Sequence, residues 1–146
     1  MDTVESIRRL KYRYLRALDL KNWDEFADTL TPDVTAEYGH RLSFSDRDAL
    51  VGHMRNSLTP AIITVHNCHH PEIDIDGETA TGTWYLTDQV IFTEQRQIIS
   101  GAAFYSDEYR RCDDGAWRIS KTGYTRSYEA MESVSDTWQL LENRWR

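Results

Sequence analysis

Apolar positions recur at helical spacing from the start of the chain. Ile7, Leu10, Tyr14, Leu15 and Leu18 fall three and four apart, which predicts a helix over residues 3–19. At about 100° per residue they cover a wide arc, which suits a helix pressed into a concave sheet. Asn22 predicts the N-cap of a second helix over 23–30, with Glu25 as its capping-box partner and Pro32 ending it. A short strand over 34–38 follows, then a third helix over 47–58 capped by Ser45 or Asp46.

From Ile62 onward the period changes to two. Strands are expected over 62–75, 80–93, 98–112 and 117–128. Pro71 should force a bulge, a bend or an edge in the first of them. Asp76–Gly77 and the run Asp113–Gly115 read as turns. Helices first and long antiparallel strands afterwards is an α+β pattern. The tail over 133–146, with a weak helical pattern, carries Trp138, Leu140, Leu141 and Trp145. That is too apolar for a free tail, so it is expected on a sheet face or a neighbouring subunit.

A chain of 146 residues fits one domain and is long enough to bury a core without disulfide staples. The net charge of −7 argues against a nucleic-acid partner, which would need clustered Lys and Arg. Cys68 and Cys112 have no metal-type spacing and read as reduced thiols of a cytoplasmic protein. The charged start MDTVESIRRLKYRYL has no signal-peptide core, and no stretch is apolar enough to cross a membrane.

Four anomalies carry chemistry. On the strand over 80–93 one face reads Ala80, Gly82, Trp84, Leu86, Asp88, Val90, Phe92, apolar but for one carboxylate. Asp88 must then be paired, hydrogen-bonded or lining a cavity, unless a bulge turns it to solvent. The run HNCHH places His66 and Cys68 on one face and Asn67 and His69 on the other. His66 is a candidate acid–base residue. The alternatives are a surface histidine cluster, a core histidine satisfied by a neighbour, or a zinc site from His66, His70 and a carboxylate, the last without any supporting motif. Tyr14 and Asp19 lie in or at the rim of the helical apolar arc, about 140° apart. Asp19, between Leu18 and Leu20, is mismatched with the dipole at a helix end, whether it is functional or simply solvated. Arg126 shares a face with Tyr124 and Tyr128, and is either a surface ion pair or a pocket group for a ligand oxygen. The aromatics Trp84, Tyr85, Phe92, Phe104 and Tyr105 read as core, with Trp84 and Phe104 candidate pocket walls.

Three stretches together resemble the SnoaL-like branch of the nuclear transport factor 2-like superfamily. They are KYRYLRALDLKNWDEFADTLTPDV, HNCHHPEIDIDGETATGTWYLTDQVIF and GAAFYSDEYRRCDDGAWRISKTGYTRSYE. The segment over 39–63, the extreme N-terminus and the tail after Glu132 depart from it. The resemblance implies an α+β fold: one cone-shaped domain over 1–132, with a curved antiparallel sheet and about three helices around an apolar pocket. Within the family the pattern is similar to bacterial bile-acid 7α-dehydratases, and its dyad to those of scytalone dehydratase and hexachlorocyclohexane dehydrochlorinase. Carried over by position, Tyr14, Asp19 and His66 are catalytic, and Asp88 and Arg126 orient the ligand or one another. The implied activity is a dehydratase without metal or cofactor, acting on a hydroxylated cyclic ketone or enone with a steroid-like frame. A ketosteroid-type isomerase and a non-catalytic binding or scaffolding domain are the alternatives. The same resemblance favours a homotrimer over a dimer.

Overall fold

The computed structural model describes residues 1–146. Three helices, α1 (Thr3–Asp19), α2 (Trp23–Asp28) and α3 (Arg47–Ser57), precede most of the sheet. Each starts on a side chain that accepts a backbone N–H three residues on: Asp2 from Glu5 at 2.9 Å, Asn22 from Glu25 at 3.4 Å, Asp46 from Ala49 at 2.8 Å. In α2 the Asn22 side chain also donates to the Glu25 carboxylate at 3.1 Å, the capping partner expected from the sequence.

The strands are β1 (Leu30–Tyr38), β2 (Leu42–Phe44), β3 (Ile62–Asp76), β4 (Thr79–Phe92), β5 (Gln97–Arg111) and β6 (Trp117–Ser133). They form one curved, unclosed sheet in the order β2-β1-β6-β5-β4-β3, so the fold is α+β as expected. All neighbours are antiparallel except β1 and β6, which run parallel, so the antiparallel expectation is corrected for that pair. The helical pattern over 23–30 ends early: α2 stops at Asp28, where the Thr29 hydroxyl bonds the Phe26 carbonyl at 2.6 Å. Pro32 therefore lies inside β1 rather than closing a helix. It is tolerated there because the β1–β6 register breaks between Leu30 and Thr35, so its missing N–H costs no ladder bond. β6 runs past Tyr128 to Ser133 because the far end of β5 needs a partner, Gln97 opposite Ser133.

β3 is an edge strand, and its ladder to β4 breaks between His69 and Glu72, where Pro71 sits and His70 adopts a left-handed φ of 51°. The bulge falls after His66 and leaves its register intact. The tail forms no helix. Arg96, from the β4–β5 turn, donates to the carbonyls of Ser135 and Trp138 at 2.9 and 3.2 Å. Further on, Asn143 donates to the Pro60 carbonyl at 3.0 Å, and the Lys21 ammonium lies 4.0 Å from the Trp145 ring centre. The tail thus runs from the β4–β5 turn to the start of β3.

The core lies between α1 and the inner face of the sheet. Ile7, Leu10, Tyr14, Leu15 and Leu18 join Trp84, Leu86, Ala103, Tyr105 and Ile119 in one buried cluster. Fully burying such a side chain contributes about 1.5–3 kcal/mol. Of the five aromatics read as core, Phe92 is only half-buried and lies outside the core cluster, and Tyr85 and Phe104 are corrected. They pair across β4 and β5 on the outer face, centroids 4.7 Å apart and each about two-fifths exposed. Strand alternation requires this, because their neighbours Trp84 and Tyr105 already point inward, both 1% exposed.

Candidate active site

α1 ends on Asp19, and β3 passes beside it. The Asp19 carboxylate accepts three hydrogen bonds from this strand: the Thr64 hydroxyl at 2.8 Å, the His66 backbone N–H at 2.8 Å and His66 Nδ1 at 2.6 Å. Those donors compensate a carboxylate that the helix dipole disfavours at this end. They also fix its orientation. With Nδ1–H held by the carboxylate, the imidazole presents Nε2 as its proton acceptor. Both side chains keep limited access to solvent, 12% for His66 and 23% for Asp19. They line a recess of about 260 Å³ with Tyr12, Leu15, Arg16, Asn67 and Cys68. Lys21, just beyond Asp19, donates to the Ile62 carbonyl at 2.6 Å. Burial lowers its ammonium from the usual lysine range, and the Asp19 charge opposes that shift.

Cys68 lines the same recess, and burial pushes its thiol up to about 12. The thiol form is thereby favoured at neutral pH, which disfavours Cys68 as a nucleophile. Iodoacetamide at pH 8 is expected to leave Cys68 unmodified in the folded protein and to label it after denaturation, as read by peptide mass spectrometry. Rapid labelling of Cys68 in the native state would contradict the burial.

His66 stands directly opposite Asp88 across the β3–β4 ladder, on the same inner face. Asp88 is 7% exposed and is gripped by Arg126 from β6, at 2.6 Å from Nη1 to Oδ1 and 3.0 Å from Nη2 to Oδ2. Arg126 Nε lies 3.3 Å from Glu129, which in turn lies 3.5 Å from Arg41. The two terminal guanidinium nitrogens are committed to Asp88, so Arg126 orients Asp88. Beside it, Tyr38, Leu42, Val90, Ile99 and Tyr124 help line a second recess of about 450 Å³.

Tyr14 is fully buried, and its hydroxyl lies 2.6 Å from that of Tyr38. Burial pushes both phenols above their ordinary value of 10, so both stay protonated donors through the neutral range. Tyr38 faces the second recess, and nothing in the sequence pattern singled it out. Lys11 is wholly buried on α1, its ammonium 2.9 Å from the Asp107 carboxylate and 3.4 Å from the Tyr105 ring centre. The ammonium is close to the carboxylate without being aligned as a hydrogen-bond donor, and the aromatic face supplies part of its compensation. Thr122 and Tyr109 donate to Asp107 at 2.7 and 2.8 Å. Thr64 carried a signal that went unread: it shares the strand face of His66, two residues upstream.

The other candidates separate. Trp84 is core, its indole N–H donating to the Tyr109 hydroxyl at 2.9 Å, and Phe104 lies on the opposite face of the sheet from His66. Neither is positioned to orient a ligand beside the dyad. The zinc alternative fails on geometry: His70 is exposed in the bulge, and no three His, Cys, Asp or Glu side chains converge.

The fold is similar to that of a candidate scytalone dehydratase from Novosphingobium aromaticivorans DSM 12444. The TM-score is 0.81 at 20% identity, covering 90% of this chain and 89% of that one. It is also similar to the hexachlorocyclohexane dehydrochlorinase LinA-type3 from Novosphingobium barchaimii LL02, with a TM-score of 0.80 at 18% identity, covering 96% and 94%. The uncharacterized protein Rv2910c of Mycobacterium tuberculosis (strain ATCC 25618 / H37Rv) is 22% identical over 130 residues, 86% of each chain. SnoaL-like domains match over residues 1–123, and the chain belongs to that family.

Proposed function

We propose that this protein is a cofactor-independent lyase of the dehydratase type, with His66 as general base. The observation that carries the reading is the 2.6 Å bond from His66 Nδ1 to an Asp19 carboxylate that two further donors hold in place. A scaffolding domain has no need of that arrangement. The relatives named as scytalone dehydratase and dehydrochlorinase are both named for eliminations, which supports the same class.

In the proposed step, His66 Nε2 removes a proton from the carbon next to a carbonyl. The carbon–oxygen bond breaks, a double bond forms, and the departing hydroxyl takes a proton from the Tyr14–Tyr38 pair to leave as water. The imidazolium proton then returns to the phenols. An enone or ketone acidifies the carbon acid, so the reading includes no metal or other cofactor. The substrate proposed is a hydroxylated cyclic ketone or enone with a steroid-like frame long enough to reach from the recess of the dyad to the second recess, where Val90, Ile99, Tyr38 and Tyr124 supply apolar wall.

The paired phenols would serve equally as oxyanion donors, which favours a ketosteroid-type isomerase as the second reading. Tyr14→Phe and Tyr38→Phe separate the two. For a dehydratase each is expected to lower water loss by about 10²-fold or more and to spare deuterium uptake next to the carbonyl. For an isomerase both signals fall together. The assay is water loss alongside deuterium exchange over a panel of hydroxylated cyclic ketones. If no substrate in the panel is turned over and none binds, the lyase reading fails.

A cytoplasmic homo-oligomer, a trimer in preference to a dimer, completes the proposal. No helix is long and apolar enough to cross a membrane, and Tyr128, Met131 and Leu141 are exposed apolar side chains available to a second copy. Light scattering at micromolar concentration should find an assembly, and a monomer alone would reject it.

A further inference from the structure

Gly101 on β5 sits in the middle of the charged row. It pairs with Asp88 on β4 and with Glu129 on β6. Arg126 does not stand opposite Asp88. It stands opposite Ala103, with the whole of β5 between it and β4. Two strand spacings separate β4 from β6, about 10 Å, so the guanidinium has to cross β5 to reach the carboxylate. It crosses over Gly101. A Cβ there would collide with Arg126 Nη1 and fall 3.1 Å from its Cζ and 2.9 Å from the Tyr128 carbonyl oxygen. Gly101 is not among the residues of positive φ, so what the position requires is space and not a special backbone conformation. Ala103, the next inward residue of the strand, is also small and fully buried.

We propose that Gly101 is a positioning residue for His66: its bare backbone lets Arg126 reach and neutralise Asp88, so that no uncompensated carboxylate stands beside the base. Directly opposed residues of a ladder have Cβ atoms about 4.5–5.5 Å apart, close enough for the Asp88 charge to act on the His66 ring. The charged and titratable groups facing His66 are these. α1 brings Asp19 on Nδ1, Arg16 and Tyr12, with Lys21 just after it; Arg16 is paired with Glu25 at 3.2 Å. β3 brings Cys68, which burial keeps as a thiol. β4 brings Asp88, and β6 brings Arg126 and Glu129 behind it. Asp19 is already held by three donors, which leaves Asp88 as the carboxylate whose compensation depends on one guanidinium.

The sign follows. A side chain at 101 displaces Arg126, the uncompensated Asp88 favours imidazolium, and His66 holds its proton to higher pH. An opposite charge at this range is worth about tenfold or more in proton affinity. The protonated ring cannot accept a proton from substrate, so the acid limb of the rate profile moves up. That catalytic consequence rests on His66 being the base; the titration does not.

The experiment follows the His66 ring signal by NMR across pH, identified by its loss in His66→Gln. Gly101→Ala in the otherwise native chain is expected to raise the proton affinity of the ring about tenfold. The same change in an Asp88→Asn/Arg126→Leu background should add nothing. No rise in the native background, or an equal rise in the neutral one, overturns the proposal. Should Gly101→Ala alone fail to fold, the triple variant is expected to fold, since Arg126 is gone. If that also fails, the Tyr128 carbonyl and not Arg126 requires the glycine, and the proposal falls. Given a substrate, the displaced acid limb is the readout that mere loss of structure would not produce. A shifted titration without elimination by any variant would sink the lyase reading and leave the role of Gly101 standing.

Discussion

Replacing His66 by alanine is expected to lower kcat by about 10²–10⁴-fold while ligand affinity stays nearly unchanged. The asymmetry comes from when the imidazole acts. Nε2 meets the substrate proton only as that proton leaves carbon, so the lost interaction belongs to the transition state. The ground state loses little, because the ring contributes only 12% of its own surface to solvent and its Nδ1 is spent on Asp19. Asp19→Asn should retain part of the rate: it preserves the shape and removes the charge that stabilises the imidazolium. Steady-state kinetics beside equilibrium binding of an unreactive ketone would separate the two quantities. A His66→Ala enzyme as active as the wild type on every substrate would end the base assignment.

The largest effect on stability is expected at Lys11. Lys11→Met is predicted to cost about 3–5 kcal/mol, since it leaves the Asp107 carboxylate buried without its cation. Both side chains are wholly inaccessible, and the ammonium lies 2.9 Å from the carboxylate. The Thr122 and Tyr109 hydroxyls donate to Asp107 but bring no charge. The melting temperature should fall by roughly 10–20 °C for a domain of this size. Lys11→Met combined with Asp107→Asn should recover much of the loss, because the penalty belongs to the orphaned charge more than to the broken contact. Urea unfolding of the single and double variants measures this. A single variant within about 1 kcal/mol of the wild type would mean that the pair is not isolated from solvent in the way its burial implies.

The site was legible where periodicity forces a side chain inward. Asp88 stood out because every other residue on its strand face was apolar, and burial at 7% with a bidentate arginine agrees with that reading. His66 was legible by parity on β3, and Pro71 did not spoil it because the bulge comes later. Lys11 could have been read as well. It shares the stripe of Ile7, Tyr14 and Leu18 at steps of four, three and four, but a lysine on a helix is taken as solvated until a partner is known. Its partner, Asp107, lies 96 residues away in sequence (107 − 11), beyond any local pattern. The Tyr14–Tyr38 pair was hidden for the same reason. Phe104 was misread because adjacent aromatics at 104 and 105 leave parity undecided until the strand's inward set is fixed by Gly101, Ala103 and Asp107. The order helices then strands also conceals which strand lies beside β1.

The parallel pairing of β1 with β6 has a consequence for how the chain comes into being. Residues 30–38 leave the ribosome early and then wait for residues 119–124, their long partner in the sheet. Until the last fifth or so of synthesis, β1 has only the three residues of β2 beside it in the sheet. A pairing so remote in sequence carries a large loop-closure entropy and slows folding relative to local hairpins such as β3–β4. The hairpins β3–β4 and β4–β5 can assemble as they emerge, whereas the amino-terminal third has an open strand edge throughout. Chains truncated before residue 117 and released should therefore leave β1 open to proteolysis while the hairpins are already protected. α1, which bears Asp19, packs mainly on β3 and less on β6, so the dyad can begin to form before the carboxyl-terminal strand has been made.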